Sequence, residues 1–143
     1  MKLHLITIGS PKLAYAKTGW EEYVGRLKHF HQVRVTHLQD KHDDATHLLE
    51  AAGNSYKVAL VIEATQLSSP ELANFLDKRA QEGREVSFII GGPEGLPPEV
   101  CSNADLQLSF SELTFPHDLA MVVLAEALYR AGTISAGHPY HRA

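Results

Sequence analysis

Apolar positions along the chain follow two rhythms that take turns. Val58–Ile62 is a continuous apolar run, the pattern of a strand buried on both faces, and Leu3–Ile8 and Val86–Ile90 are short, mostly apolar runs that read as further strands, Val86–Ile90 as another buried one. Val33–Leu38 and Leu106–Phe110 alternate apolar and polar positions and read as further strands. Between these runs the spacing becomes helical. Leu13, Ala16, Trp20, Tyr23, Val24 and Leu27 predict a helix from Lys12 to Lys28. A second helix is expected from Asp43 to Ala52, started by Asp43 or Asp44 and stopped by Gly53-Asn54. A third opens with Ser69 as N-cap and Pro70 at the first helical position, and stops near Gly83. Pro97-Pro98 can start a short helix, and Pro116 to Gly132 is the last. Strands alternating with helices predict an α/β fold, a three-layer sandwich around a mostly parallel sheet, with residues 1–143 as one domain.

The last helix breaks the usual amphipathic pattern. Leu119-Ala120-Met121-Val122-Val123-Leu124-Ala125 is apolar all the way round. A helix lying on a sheet normally keeps one wet side. A helix without one needs cover on both sides, which predicts a homodimer packed partly through this segment.

Composition narrows the classes. No apolar run is long enough to cross a bilayer, and the short apolar start lacks a small-residue cleavage site, so no membrane association is expected. Cys101 is the only cysteine, which rules out an intrachain disulfide and suits the cytoplasm. The net charge of −4 hides an uneven distribution: residues 1–37 carry +4, residues 38–126 carry −10 and residues 127–143 carry +2. A fold that brought the two basic ends together would present them to an anionic partner.

Three stretches carry chemistry. The strand Val86–Ile90 runs straight into Gly91-Gly92-Pro93-Glu94-Gly95-Leu96, where main chain rather than side chain can approach a ligand. No Lys-Ser/Thr pair follows, as a nucleoside-triphosphate loop requires, and the glycine spacing is wrong for a dinucleotide fold. Glu94 would repel a polyphosphate. An adenine-bearing ligand of low negative charge stays open, as does a turn with no ligand. The second stretch is Ser109–His117. The third is the tail His138-Pro139-Tyr140-His141-Arg142, which combines groups able to stack on a base, hold a phosphate and move a proton. The nine histidines include pairs at metal-compatible spacing, but no cysteine or HExxH pattern supports them, and no metal is expected.

Ile89–Leu96, Leu108–His117, Leu124–Ala131 and His138–Arg142, in this order, closely resemble the ribosomal RNA large subunit methyltransferase H family of the SPOUT class. The resemblance spans the chain and departs only at Asp40–Gly53, where family members run longer and carry a Lys-Glu-Gly. It implies a C-terminal trefoil knot, a homodimer, S-adenosyl-methionine as cofactor, and methylation of N3 of a pseudouridine in large-subunit rRNA within the ribosome. By matching motif positions it assigns cofactor contacts to Ile62, Gly92, Ser111, Glu112, Leu113, Thr114, Phe115 and Pro116, largely through main chain. In the tail, His138 or His141 is the candidate base, Arg142 the charge stabiliser or phosphate clamp, and Tyr140 a stacking platform. Three rivals stand beside this reading: a SPOUT enzyme acting at another RNA position, a receiver-like module, and a ribosome-binding protein without catalysis. The receiver lacks its acidic cluster, because the first strand ends in Thr7-Ile8-Gly9.

Overall fold

A computed structural model describes residues 1–142. In chain order the elements are β1 (Lys2–Ile8), α1 (Ala14–Leu27), β2 (Gln32–Leu38), a 3-10 turn (Asp40–His42), α2 (Ala45–Ala52), β3 (Tyr56–Gln66), α3 (Ser69–Glu82), β4 (Val86–Ile90), α4 (Pro98–Asn103), β5 (Leu106–Ser109) and α5 (His117–Ser135). The strands form one parallel sheet in the order β2-β1-β4-β3-β5. The expected α/β sandwich is what the chain adopts.

The two-residue period of the strands decides which core each side chain enters. Leu3 and Leu5 of β1, with Val86, Phe88 and Ile90 of β4, face α1, α3 and α5. Ile6, Ile8 and Ile89 face the other way, onto Leu48 and Ala52 of α2 and Val100 of α4. Every residue of β4 is buried, as a central parallel strand covered by helices on both faces requires.

Two sequence expectations need correction. The N-cap of α3 is Ser68, not Ser69: Ser68 Oγ accepts from Glu71 N at 3.2 Å, and Glu71 Oε1 accepts from Ser68 N at 2.8 Å. The glutamate three residues after Ser68 closes this reciprocal capping box, and such a cap contributes about 1 kcal/mol. Strand β3 also runs past Ile62 to Gln66. Its pairing with β5 shifts register between Leu60 and Thr65, so residues 61–64 swing out of the ladder before pairing resumes.

The all-round apolarity of α5 is partly answered within the chain. This helix lies between α1 and α3 and rests on the sheet, so Met121, Leu124, Ala125 and Leu128 are buried. Leu119, Val123 and Ala127, four residues apart along one face, stay half-buried.

Candidate active site

At the carboxyl end of β4 the chain doubles back on itself. Gly95 N donates to Gly92 O at 2.9 Å, and the two glycines form an antiparallel bridge. A Cβ on Gly91 would lie 2.5 Å from Gly95 C and 2.7 Å from both Gly95 O and Leu96 N. Main chain fills that space, so only glycine fits. Gly92 is different. A Cβ there would meet Asp43 Oδ2 at 2.7 Å and Ile8 Cγ2 at 3.5 Å. The first of these is the tip of a half-buried side chain in the turn before α2.

Two further segments close around this loop. After β5, Ser109 Oγ donates to Ser111 O at 2.9 Å and accepts from Ser111 N at 3.2 Å, while Leu113 N donates to Ser111 Oγ at 3.0 Å. These serine turns hold the chain in a tight arc up to Pro116. The outward swing in β3 supplies Val61 and Ile62. Together the three segments enclose a cleft of about 740 Å³, lined mainly by apolar side chains and glycine backbone. It sits beyond the carboxyl ends of parallel strands, where open α/β sheets place ligands.

Of the residues singled out in the sequence, Ile62, Gly92, Ser111, Leu113, Thr114, Phe115 and Pro116 line this cleft. Glu112 is exposed and lies outside the lining. Sequence reasoning gave no contact to Leu60, Val61, Ile90, Phe110 or Ala120, and it placed Glu94 and His117 in the two singled-out stretches without naming them as lining residues. The cue for His117 was its place directly after the Ser111–Pro116 arc. Among the described residues, only Glu94 and His117 bring ionisable side chains to the lining.

His117 is anchored next to Asp118, whose Oδ2 accepts from Lys12 N at 2.8 Å and Leu13 N at 2.7 Å. Burial alone would raise the Asp118 carboxyl. The backbone donors of Leu13 and Lys12, with His117 beside them, outweigh burial and hold it below the ordinary carboxylate value. This carboxylate ties the start of α1 to the start of α5 and so to the cleft. His117 Nδ1 sits 3.5 Å from Asp118 Oδ1, and its buried Nε2 has no partner among the described residues.

The tail lies elsewhere. It folds back onto the middle of α5, where Tyr140 Oη donates to Glu126 Oε1 at 3.1 Å and the Tyr140 ring stacks edge-on against Tyr129 at 4.7 Å. Burial, then hydrogen bonds with Tyr23 and Glu126, raise the Tyr140 hydroxyl above the ordinary phenol value. Arg130 pairs with Glu126 at 2.7 Å and lies 4.8 Å from the centre of the Tyr140 ring. An arginine only donates, so His141 Nδ1, 3.1 Å from Arg130 Nη1, is an acceptor. His138 Nδ1 accepts from Tyr140 N at 3.3 Å. Each tail imidazole therefore uses its Nδ1 lone pair inside the chain. Arg142 is exposed.

The basic ends of the chain do meet here. Arg26 of α1 lies 5.5 Å from the centres of both the Tyr23 and Tyr129 rings, next to the tail. Ten residues of α5 separate Ala120 at the cleft from Arg130 at the tail, about 15 Å along the helix. Within one chain, cleft and tail occupy different stations of α5. Among the described residues there is no cluster of three or more metal-ligating side chains, and no helix is long and apolar enough to cross a membrane.

A family model described as "Predicted SPOUT methyltransferase" matches residues 1–141, which places the chain among the SPOUT methyltransferases. The chain is 51% identical, over 99% of both chains, to the Ribosomal RNA large subunit methyltransferase H of Deinococcus radiodurans. It is 50% identical to the protein of that name from Deinococcus deserti, over 99% of this chain and 100% of that one. The chain belongs to the ribosomal RNA large subunit methyltransferase H family within the SPOUT class. Among solved structures it is similar to a probable methylase family protein from Haemophilus influenzae Rd KW20, with a TM-score of 0.60 over 99% of this chain and 70% of that one. At 11% identity this likeness speaks for the fold alone.

Proposed function

We propose that the protein methylates the N3 atom of a pseudouridine in large-subunit ribosomal RNA, using S-adenosyl-methionine and acting as a homodimer on the ribosome in the cytoplasm. The single observation that carries the reading is the cleft: three segments far apart in sequence converge on one apolar, glycine-walled space beyond the strand ends. Its residues suit the cofactor. Leu60, Ile90, Leu113 and Phe115 offer apolar walls for an adenosine, and the backbone of residues 91–95 and 111–116 offers donors and acceptors at its rim. The absence of Lys and Arg from the lining fits a ligand without phosphates. Ile62, Gly92, Ser111, Leu113, Thr114, Phe115 and Pro116 would hold it, with Glu112 shaping the arc from outside. When bound, S-adenosyl-methionine supplies an electrophilic methyl group on a sulfonium.

The chain's own residues must align the acceptor and remove its N3 proton. His138 or His141 takes that proton after releasing its present Nδ1 partner, the Tyr140 amide or Arg130. Tyr140 offers a stacking face, and Arg142 a guanidinium for phosphate or developing charge. Because the tail stands about 15 Å along α5 from its own cleft, the tail of a second copy completes the site. The half-buried stripe Leu119, Val123 and Ala127 of α5 is the proposed contact between copies. The last segment threads as the trefoil knot of its class, one of the few exceptions to unknotted topology.

The test is transfer of labelled methyl from S-adenosyl-methionine to ribosomes lacking this modification, followed by mass mapping of the product. Label on N3 of one pseudouridine is expected. Label at another nucleotide would mark a different RNA specificity. Cofactor-binding protein that transfers no label would be a non-catalytic ribosome binder.

A further inference from the structure

We infer that Glu94 senses the charge of the cofactor and favours the methyl-bearing sulfonium form over the demethylated product. The inference rests on the cleft being the S-adenosyl-methionine site. Among the described residues, Glu94 and His117 are the only ionisable side chains on the lining. Glu94 is held at the tip of the turn closed by the Gly92–Gly95 bond. It has no ion pair or hydrogen bond among the described residues. His117 turns its Nδ1 toward Asp118 and keeps its Nε2 buried. Among the described residues, no Lys or Arg lies on the lining to neutralise Glu94. A mostly apolar space therefore carries the Glu94 charge at its edge, with no cationic side chain on the lining among the described residues to offset it.

The two forms of the ligand differ by one methyl group and one positive charge. On transfer, the C–S bond breaks, its electron pair stays on sulfur, and a C–N bond forms to the acceptor, whose N–H proton leaves. The sulfonium becomes a neutral thioether, while adenosine and amino-acid portions are unchanged. Apolar walls and backbone hydrogen bonds see nearly the same molecule before and after. A carboxylate does not: it attracts the sulfonium form by one more charge. Because Glu94 is exposed, solvent screening holds the preference to roughly threefold to tenfold. That is enough to speed clearance of product from a cleft that otherwise grips both forms alike.

Calorimetry on the full-length protein tests this with three probes: S-adenosyl-methionine, S-adenosyl-homocysteine and sinefungin, in which an amine-bearing carbon replaces the sulfonium. Glu94→Gln should weaken the two cationic probes about fivefold and leave S-adenosyl-homocysteine within about twofold. Glu94→Asp should retain most of the preference, and added salt should erode it in the wild type. Equal weakening of all three probes by Glu94→Gln would overturn the inference, since it would mean that Glu94 only shapes the loop. No change in any probe would overturn it as well. Wild-type protein that binds none of the three would instead overturn the cofactor reading, and this inference with it.

Discussion

The cleft and the tail platform share helix α5 but are built from opposite materials. The cleft is main chain and apolar wall: glycines that let backbone come close, serine turns that hold an arc, and two ionisable groups. The platform is side chain: Glu126, Arg130, Tyr140 and His141 in one hydrogen-bonded set, with Tyr129, Tyr23 and Arg26 stacked beside them. A site made of backbone tolerates changes of side chain and fails when a glycine gains a Cβ. A site made of side chains fails the other way. The difference suits a division of labour in which one region holds a constant ligand and the other handles an RNA acceptor and its proton.

Removing residues 138–143 should produce the largest effect. Methyl transfer is expected to fall at least about a thousandfold, since the proposed base, stacking face and charge stabiliser leave together. Cofactor affinity by calorimetry should stay within about twofold of wild type, because no tail residue lines the cleft and the partner's tail is proposed to meet the RNA acceptor and not the cofactor. A tenfold loss of affinity would show that the two regions are not separable. Co-expressing the truncated chain with a chain whose cleft is disabled sharpens the comparison further. Mixed dimers should regain activity above the sum of both parents if cleft and tail from different copies work together.

Gly91→Ala is the matching break in the cleft. Its Cβ would lie 2.5 Å from Gly95 C, and backbone cannot step aside as a side chain does. Overpacking of this kind costs about 1–3 kcal/mol, so cofactor affinity should drop at least about tenfold and the melting temperature should fall. The tail platform should keep its contacts, which protection of the α5 amides in hydrogen exchange would report.

Much of this architecture was legible because local signals and the global fold agree. The bounds of Val86–Ile90 are legible to the residue: an apolar, fully buried run stops directly at the Gly91-Gly92-Pro93 turn, and its one polar residue, Ser87, is buried against Ser55. Other features required distant partners. Val58–Ile62 continues without interruption in the sequence, and nothing in its period marks the swing at residues 61–64, which exists only against β5. Ser68 and Ser69 are both good caps by type, and the position of Glu71 decides between them. Seven of the eight proposed cofactor contacts converge because main-chain motifs are contiguous in sequence and carry their own geometry. The fold-back of Tyr140 onto Glu126 spans 14 residues and turns on side-chain partners that no spacing rule specifies.

Glu126→Gln should have a smaller effect, confined to the platform. It removes the charge partner of Arg130 but keeps an oxygen for the Tyr140 hydroxyl. The pair is about a quarter exposed, and solvent-screened pairs on one helix contribute about 0.2–1 kcal/mol. Stability should barely change and cofactor affinity should not change. Methyl transfer should fall a few-fold, as Arg130 and with it His141 lose their fixed positions. A loss of cofactor affinity in this variant would break the separation between the two regions.

Gly92→Ala is expected to be the mildest change, and it tests the comparison from inside the cleft. Unlike Gly91, Gly92 has only one neighbour closer than 3.0 Å to its missing Cβ, the Asp43 carboxylate oxygen. That oxygen ends a half-buried side chain, which can rotate away at little cost. Cofactor affinity should therefore fall no more than about threefold, well short of the Gly91 variant. Adding Asp43→Ala should recover the remainder, because the Cβ then meets no protein atom closer than Ile8 Cγ2 at 3.5 Å. If Gly92→Ala instead costs as much as Gly91→Ala and Asp43→Ala recovers nothing, the Cβ is colliding with the ligand and not with the protein. Gly92 would then be glycine for the cofactor's sake, and Gly91 for the loop's.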